Sequence, residues 1–384
     1  MAQAIFFISA TLLLYNYLLF PAGIILMARM RGSKVAEALS TANESLPTVT
    51  LVIAAYNEER VIEAKILNSL DLDYPEESLR ILVVSDGSTD STPQIVQRFQ
   101  NRDVLSLHET ERRGKTAALN RAVASATSEI VVFSDANNMF DKNALRQLVK
   151  HFANSRVGGV CGLKQIYHSA ERESSQGDSL YWKYESAIKE SESRLGSITN
   201  ADGEIFAVRR NLYQPVDNML INDDAEITFI LIKQGYRVLY ERHAISHEQA
   251  SIRIEDDFHV KVRMISGGFQ TIARHWVFLL PPRSWFAFNF VSHKLLRWLA
   301  PEFMILIAIS SLWLISSPFF LAMIILQGAF YALAVFGWIT REKIGHRAIF
   351  YIPFYLCAMN LAALHGLWRF LAGTQTTQWR KAER

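Results

Sequence analysis

The sequence has little cysteine, little net charge and no long run of basic residues. Its two cysteines, Cys161 and Cys357, give neither the spacing of a zinc site nor the number needed for a disulfide framework. Lys and Arg total 40 against 37 Asp and Glu, so the net charge is only +3. A nucleic-acid-binding protein normally carries a strong basic excess. We therefore expect no disulfide scaffold, no zinc site and no nucleic-acid partner.

Charged residues are missing from residues 5–27, which are almost entirely apolar. A membrane-spanning helix needs about 20 such residues, so the sequence predicts a transmembrane helix within residues 1–30. A cleaved signal peptide is the alternative, but no basic residue precedes the run and no small-residue cleavage site follows it. Arg29, Arg31 and Lys34 follow directly. The positive-inside rule then predicts that the next part of the chain is cytosolic.

Three more apolar runs, at 298–316, 318–340 and 348–371, predict C-terminal transmembrane helices within residues 295–384. A basic loop at 341–347 suits the cytosol, and so does the basic tail at 380–384. One helix before the middle region and three after it would place that tail outside. Either the tail breaks the rule, or one run is re-entrant or lies in the membrane interface.

Residues 258–294 mix aromatic and basic side chains and are interrupted by Pro281 and Pro282. This composition is typical of short amphipathic helices that lie on a membrane surface. A soluble helical subdomain is the alternative. Because the segment leads directly into apolar runs, we expect interfacial helices.

Within a domain predicted at residues 46–257, the chain from Thr48 to Asn137 alternates between apolar runs of strand length and helical patterns. Continuous apolar strands joined by helices are typical of a parallel sheet covered on both faces. The sequence therefore predicts a doubly wound, Rossmann-like α/β domain. Ligands of such sheets bind outside the carboxyl ends of the strands, where this sequence places clusters at 56–58, 86–90 and 135–137.

Two of these clusters, and a basic loop at 112–115, suggest nucleotide and metal chemistry. Asp135 and Asn137 offer two oxygen ligands on one turn, which suits Mg²⁺ or Mn²⁺, although Asp135 could simply cap a helix. Asp86 in a Ser-Asp-Gly-Ser turn could bind a base or a ribose hydroxyl. The basic loop 112–115 could contact a pyrophosphate or could be solvated surface.

Consecutive acids at 222–226 precede an amphipathic run. Acids at a helix start interact favourably with the helix dipole, which explains them without any function. A carboxylate there could also act as general base for a hydroxyl that attacks an activated carbon. The residues alone leave both interpretations open.

The order of these motifs resembles glycosyltransferase family 2, the inverting enzymes with the GT-A fold, and above all its membrane-embedded members that make polysaccharides or glycolipids. The resemblance covers nearly the whole chain. It rests on the segments VIAAYNEE, VVSDGSTDST, RRGKTAALN, VVFSDANNMF, NADGEIFAVRR, NDDAEI, QGYRVLYE and KVRMISGG.

The resemblance implies a role for each matching residue. The residues implied in nucleotide binding are Ala55, Tyr56, Glu58, Asp86, Lys115 and Arg263. The metal motif implies Asp135 and Asn137, with His247 or Glu248 as a further ligand. The acidic pair implies Asp223 and Asp224, the second being the catalytic base, and Asp202 and Gly203 match the segment on the side of the sugar acceptor.

Two departures from the family pattern affect the expected reaction. The second metal ligand is the amide of Asn137 instead of an aspartate. Residues 260–264 read Val-Lys-Val-Arg-Met where processive synthases carry Gln-x-x-Arg-Trp, so the aromatic acceptor platform is missing there. The sequence therefore favours neither the transfer of a single sugar nor processive polymerisation over the other.

The resemblance thus implies a bacterial inner-membrane enzyme with a cytosolic catalytic domain. It would transfer a sugar, with inversion, from a UDP-sugar or similar donor to a saccharide or lipid-linked acceptor. It would depend on Mg²⁺ or Mn²⁺ and contact membrane lipids. A nucleotide-sugar-binding scaffold or sensor without catalysis is one alternative. A nucleotidyltransferase is another, but residues 54–59 lack the Gly-rich basic loop of that class.

Overall fold

A computed structural model describes residues 1–31, 46–167, 176–249, 254–280, 284–340 and 347–375. Several sequence predictions lie outside these residues. They concern Lys34, the prolines at 281–282, the basic loop up to residue 346 and the basic tail at 380–384.

An eight-stranded sheet forms the centre of the molecule, with strand order β3-β2-β1-β4-β7-β6-β8-β5. The strands are β1 Val49–Ala55, β2 Leu79–Asp86, β3 Val104–Glu109, β4 Ile130–Asp135, β5 Asn138–Phe140, β6 Val157–Tyr167, β7 Phe206–Arg209 and β8 Arg237–Gln249.

The helices fall between these strands and at both ends of the chain. They are α1 Ala2–Leu14, α2 Phe20–Met30, α3 Ile62–Leu70, α4 Thr92–Gln97, α5 Lys115–Ser125, α6 Ala144–Val149, α7 Gln176–Leu195, α8 Asp223–Lys233, α9 Ile254–Leu279, α10 Trp285–Phe290, α11 Leu296–Trp298, α12 Ala300–Trp313, α13 Pro318–Ile339 and α14 Ala348–Leu371.

The first half of the sheet agrees with the prediction of a parallel, doubly covered α/β domain. Strands β3, β2, β1 and β4 are all parallel. One face of the sheet packs on α3, α4 and α6, and the other packs on α5 and α8. Both faces of β1, β2 and β4 are therefore buried, which explains why these strands read as continuous apolar runs, whereas the edge strand β3 is partly exposed.

The second half of the sheet, which lies beyond the strands predicted between Thr48 and Asn137, is mixed. Strand β7 is antiparallel to both β4 and β6, while β6 is parallel to β8. The short strand β5 pairs antiparallel with β8. This arrangement brings the chain beyond β4 back across the strand ends, so that β8 reaches the turn that follows Asp135.

In the part of the chain that the structure describes, three helices are long and apolar enough to cross a membrane, and a bent helix pair could form a fourth span. The three are Ala2–Met30, Pro318–Ile339 and Ala348–Leu371, with mean hydropathies of 1.7, 2.2 and 1.5. A π-helical turn at Tyr15–Leu19 joins α1 and α2 within the first. The bent pair is Trp285–Trp298 with Ala300–Trp313, which meet at 57°. The run predicted at 298–316 is therefore a shorter helix beside a bend.

Helix α9 lies between the sheet domain and the apolar helices. It packs along α14 and also contacts α8. His275 interrupts its helical backbone, with φ −113° and ψ 16°. The position of this helix suits the interfacial role predicted for residues 258–294, which stays a prediction.

Candidate active site

The cleft at the carboxyl ends of the parallel strands collects most of the predicted nucleotide and metal residues. Its lining includes Ala54, Ala55, Tyr56, Glu58, Asp86, Arg112, Lys115, Ala118, Asp135, Ala136 and Asn137. These residues come from the ends of β1, β2 and β4 and the start of α5. The sheet therefore assembles residues that lie far apart in the sequence, as the strand-end rule predicts.

Hydrogen bonds fix the turn after β1 to the turn after β2. The backbone N–H of Glu58 donates to Thr92 Oγ1 at 2.8 Å, and that of Asn57 donates to Ser88 Oγ at 3.1 Å. Asn57 adopts a positive φ of 51°, which asparagine tolerates better than most residues. Ala55, Tyr56 and Glu58 are thereby held at the rim of the cleft.

Asp86 lies at the end of β2 and is 5% exposed. Its carboxylate accepts backbone N–H groups from Arg113 at 3.1 Å and Gly114 at 2.7 Å, and it pairs with Arg121 at 3.3 Å. The next residue, Gly87, has a φ of +71°, and a Cβ there would lie 2.7 Å from the Cβ of Arg112. Asp86 thus holds the basic loop against the cleft through its own contacts.

The basic loop covers the aromatic ring of Tyr56. The guanidinium of Arg112 lies 3.8 Å from the ring centre, as in a cation–π contact. Lys115 follows at the first turn of α5, and its Nζ lies 2.5 Å from Asp135 Oδ1. Burial lowers the pKa of Lys115, but the charges of Asp135 and Asp223 outweigh burial, so its pKa is raised. The ammonium of Lys115 therefore stays charged and contacts Asp135, the first residue of the predicted metal motif.

Asn137 contacts Glu248 and not His247. Its Nδ2 donates to Glu248 Oε1 at 3.1 Å, whereas His247 Nε2 lies 2.7 Å from Asp141. Successive residues of a strand point to opposite faces, so only one of the two can face the cleft. The structure brings Glu248 to Asn137 and places the predicted ligand His247 apart from it. Among the described residues, no three His, Cys, Asp or Glu side chains could hold a metal by themselves.

Asp223 and Asp224 are the first two residues of α8. Asp224 Oδ2 accepts the backbone N–H of Gly203 at 3.2 Å, and Oδ1 accepts that of Ala225 at 2.7 Å. Burial raises the pKa of Asp224 to about 7, and the negative charges of Asp223 and Glu204 add to this. A carboxylate with such a pKa can accept a proton near neutral pH.

Asp223 shares the electrostatic environment of the nucleotide and metal residues. Burial raises its pKa, the charge of Lys115 opposes this rise, and that of Asp135 increases it. The positive charge of Arg263 on α9 also acts on Asp223. The acidic pair, the predicted metal motif and Arg263 therefore influence one another electrostatically, although they lie almost 130 residues apart in the sequence.

Asp202 and Gly203 form a wall beside Asp224. The carboxylate of Asp202 pairs with Lys189 at 2.6 Å, and its backbone N–H donates to Cys161 Sγ at 3.1 Å. Gly203 lies so close to Asp224 that an added Cβ would be 3.4 Å from the Asp224 Cβ. This segment and the acidic pair are therefore in direct contact.

Glu204 and Lys164 belong to the site but were not predicted from the sequence. Lys164 Nζ lies 2.6 Å from Glu204 Oε1 and also contacts Glu248. Burial raises the pKa of Glu204, but Lys164 outweighs burial and brings the pKa to about 2. Glu204 follows Gly203 within the segment NADGEIFAVRR. Lys164 lies within a strand and gives no local signal.

Comparisons with known proteins show which family and fold this chain resembles. Residues 50–216 match the family model described as Glycosyl transferase family 2. The poly-beta-1,6-N-acetyl-D-glucosamine synthase of Staphylococcus aureus strain COL is 26% identical over 236 residues, which are 60% of this chain and 57% of the synthase. The synthase of Staphylococcus epidermidis is 26% identical over 237 residues, with the same shares. The chain thus spans less than two thirds of these relatives.

A solved structure extends the similarity to the fold of nearly the whole chain. The mannosyltransferase PcManGT of Pyrobaculum calidifontis, in complex with GDP-Man and Mn²⁺, covers 98% of this chain and 100% of its own. The identity is 22% and the TM-score 0.69, which establishes a shared fold.

The fold is therefore the GT-A fold, combined with long apolar helices. The chain carries a glycosyltransferase family 2 domain over residues 50–216. The predicted fold class is confirmed, and the predicted family is confirmed for this domain. The roles predicted for single residues stay predictions, since the family match ends before Asp223, Asp224 and Arg263.

Proposed function

We propose that the protein transfers a sugar, with inversion, from a nucleotide-sugar to a saccharide or lipid-linked acceptor at the membrane surface, in polysaccharide or glycolipid synthesis. The single observation that carries this proposal is the position of the acidic pair. Asp223 lies within the electrostatic reach of Lys115, Asp135 and Arg263. Donor-side cations and a candidate base thus meet where one sugar could be transferred.

The donor is a nucleoside diphosphate sugar, most simply a UDP-sugar. Ala55, Tyr56, Glu58 and Asp86 would hold the nucleoside, and Lys115 and Arg263 would offset the charge of the departing diphosphate. The GDP-Man complex of the mannosyltransferase keeps a GDP-sugar among the donors to be tested. Names of the staphylococcal relatives make N-acetylglucosamine the first sugar to test.

A divalent cation, Mg²⁺ or Mn²⁺, fits the residues at Asp135. The ammonium of Lys115 lies at 2.5 Å from this carboxylate, so the position already favours a positive charge. The amide nitrogen of Asn137 donates to Glu248, which leaves its oxygen to face a cation. Asp135 and Asn137 would hold the metal, with Glu248 in support. When bound, the metal would neutralise charge on the diphosphate.

Asp224 is the base in this proposal. Its pKa of about 7 lets it take the proton of the acceptor hydroxyl as that oxygen attacks the anomeric carbon. Its contact with Gly203 directs one carboxylate oxygen to the wall that carries Asp202. That wall would orient the acceptor, in keeping with the roles predicted for Asp202 and Gly203.

The apolar helices would place this reaction at a membrane. Arg29 and Arg31 follow the first apolar helix, which favours a cytosolic sheet domain in a bacterial inner membrane. In this arrangement residues 1–30 form the N-terminal membrane helix, residues 46–257 the catalytic domain, residues 258–294 the interfacial helices and residues 295–384 the C-terminal membrane helices and tail. Membrane lipids would then contact residues 258–294 and the acceptor would approach from the bilayer side.

A non-catalytic nucleotide-sugar-binding protein is the second candidate. The observation in its favour is the amide of Asn137 in the metal motif, which lowers the negative charge available to a cation. Such a protein would bind the donor and leave it intact.

One experiment separates the two candidates. Purified full-length protein in nanodiscs is incubated with a panel of UDP- and GDP-sugars and with Mg²⁺ or Mn²⁺, and nucleoside diphosphate release is measured. We expect release from one donor, lost in Asp224→Asn. Binding of nucleotide without release, even after addition of membrane lipid extract, would contradict glycosyl transfer and support the non-catalytic candidate.

A further inference from the structure

Helix α7 carries three buried charged side chains on one face. Glu185, Lys189 and Glu192 are spaced four and three residues apart, which places them on the same side of a helix. Their exposed fractions are 6%, 5% and 0%. Charged side chains are almost never buried to this extent unless they are paired. The face therefore marks a set of specific contacts.

Two of these side chains hold the segment that leads to Gly203. Lys189 Nζ lies 2.6 Å from the carboxylate of Asp202. Glu192 Oε2 accepts the backbone N–H of Thr199 at 3.0 Å, and its oxygens also accept the Thr199 hydroxyl. The segment from Thr199 to Asp202 is thus fixed to α7 at both ends. Its position determines where Gly203 meets Asp224.

His293 joins this face to the membrane side of the molecule. It is fully buried, its Nδ1 lies 2.7 Å from Glu192 Oε1, and its Nε2 lies 3.2 Å from Glu185 Oε2. Nδ1 is also 3.2 Å from the hydroxyl of Thr199. Each ring nitrogen of His293 therefore faces a glutamate of α7.

The same network reaches the apolar helices at both ends of the chain. Glu185 also pairs with Lys294 at 2.5 Å and with Arg297 at 2.8 Å. Burial raises the pKa of Glu185, but these cations and His293 outweigh burial and lower it well below its ordinary value. Ser292, next to His293, lies 2.8 Å from the hydroxyl of Tyr15 in the first apolar helix.

We infer that His293 is a positioning residue for the acceptor: through Glu192 and Thr199 it fixes segment 199–203 against Asp224 and couples that segment to the membrane helices. This inference rests on the proposed function. Asp86 and Lys115, at the nucleotide end of the cleft, have no contact with this network in the described residues. Loss of His293 should therefore misplace the acceptor and spare the donor.

The test compares wild type with His293→Gln and His293→Leu, each as the full chain in nanodiscs. His151→Gln is the matched control, because His151 also contacts a glutamate at 2.7 Å but pairs with Glu241 of β8. The assay uses the donor found active in the panel and a short β-1,6-linked N-acetylglucosamine oligosaccharide. It measures the donor KM and the ratio of transfer to hydrolysis.

We expect His293→Gln to lower the transfer-to-hydrolysis ratio about tenfold, because small misplacements of reacting groups have large effects on rate. Its donor KM should stay within twofold of wild type. His293→Leu should lower the ratio further, and His151→Gln should leave it unchanged. A general loss of stability would instead reduce hydrolysis and transfer together.

Hydrogen–deuterium exchange of the peptide that spans residues 197–204 provides a readout that needs no activity. His293→Gln should accelerate exchange there, and His151→Gln should not. Unchanged exchange in His293→Gln would overturn the inference. A wild type that releases no nucleotide from any donor would refute the proposed function, whereas this exchange measurement would still decide whether His293 fixes the segment.

Discussion

Replacement of Asp224 by Asn should lower the activity of the protein but raise its stability at pH 8. Asparagine keeps one oxygen that can accept the Gly203 N–H at the same place, whereas its amide nitrogen cannot accept the N–H of Ala225, so one of the two backbone contacts survives. The amide cannot take a proton from an acceptor hydroxyl. Since general base catalysis contributes about 10²–10⁴-fold, we expect transfer to fall by that factor while nucleotide binding is kept.

The pH dependence of the wild-type enzyme follows from the same carboxylate. Burial, together with Asp223 and Glu204, raises the pKa of Asp224 to about 7, and only its deprotonated form can act as base. The rate should therefore rise roughly tenfold between pH 6 and pH 8. Glu204→Gln removes one negative neighbour, so the midpoint of this rise should move to lower pH.

The stability of the wild-type fold should fall as pH rises, whereas the rate increases. A carboxyl group whose folded pKa exceeds its unfolded value of 3.8 binds more protons in the folded state between about pH 4 and pH 7. Its ionisation therefore destabilises the fold as pH rises through that window, by at most about 4 kcal/mol above pH 7. Asp224→Asn removes this destabilisation, so its midpoint of thermal unfolding at pH 8 should exceed that of wild type.

The assays are donor turnover as a function of pH and thermal unfolding in nanodiscs at pH 5 and pH 8. At pH 5 the stability difference between wild type and Asp224→Asn should be less than half of that at pH 8, because the carboxyl is then still protonated in the fold but already largely ionised in the unfolded chain. Turnover of Asp224→Asn within tenfold of wild type would refute its role as base. A lower unfolding midpoint for this variant at pH 8 would refute the burial argument.

Three further predictions concern other parts of the molecule. Asn137→Asp should lower the Mg²⁺ or Mn²⁺ concentration that gives half-maximal donor hydrolysis about tenfold, since it adds a charged oxygen ligand; an unchanged value would place the metal elsewhere. Asp86→Asn should weaken UDP binding in calorimetry about tenfold, because the basic loop loses its charged anchor, and unaltered affinity would contradict that role. Gly268→Ala should destabilise the protein by about 1–3 kcal/mol, since the new Cβ would lie 2.2 Å from the Trp298 ring, whereas Gly328→Ala, with nothing within 4 Å, should not.

Residues that lie next to elements with clear apolar patterns can be predicted from the sequence, whereas contacts between distant strands cannot. Asp86, Asp135 and Asp224 follow or precede elements with clear apolar patterns, so their places at strand ends or at a helix start were predictable. His247 and Glu248 are neighbours on one strand, and only the pairing of that strand with the turn after Asp135 brings Glu248 to Asn137. Register between distant strands depends on tertiary packing and leaves no local pattern.

The sequence by itself determined the apolar helices at both ends, the parallel half of the sheet and the strand-end clusters, because each depends on residues close together in the chain. Only the tertiary structure decided the mixed half of the sheet, the contact of Lys115 with Asp135 and the burial of His293 between two glutamates. These features join residues that are 20 to more than 100 positions apart. Their energies depend on burial and on partners that only the folded chain brings together.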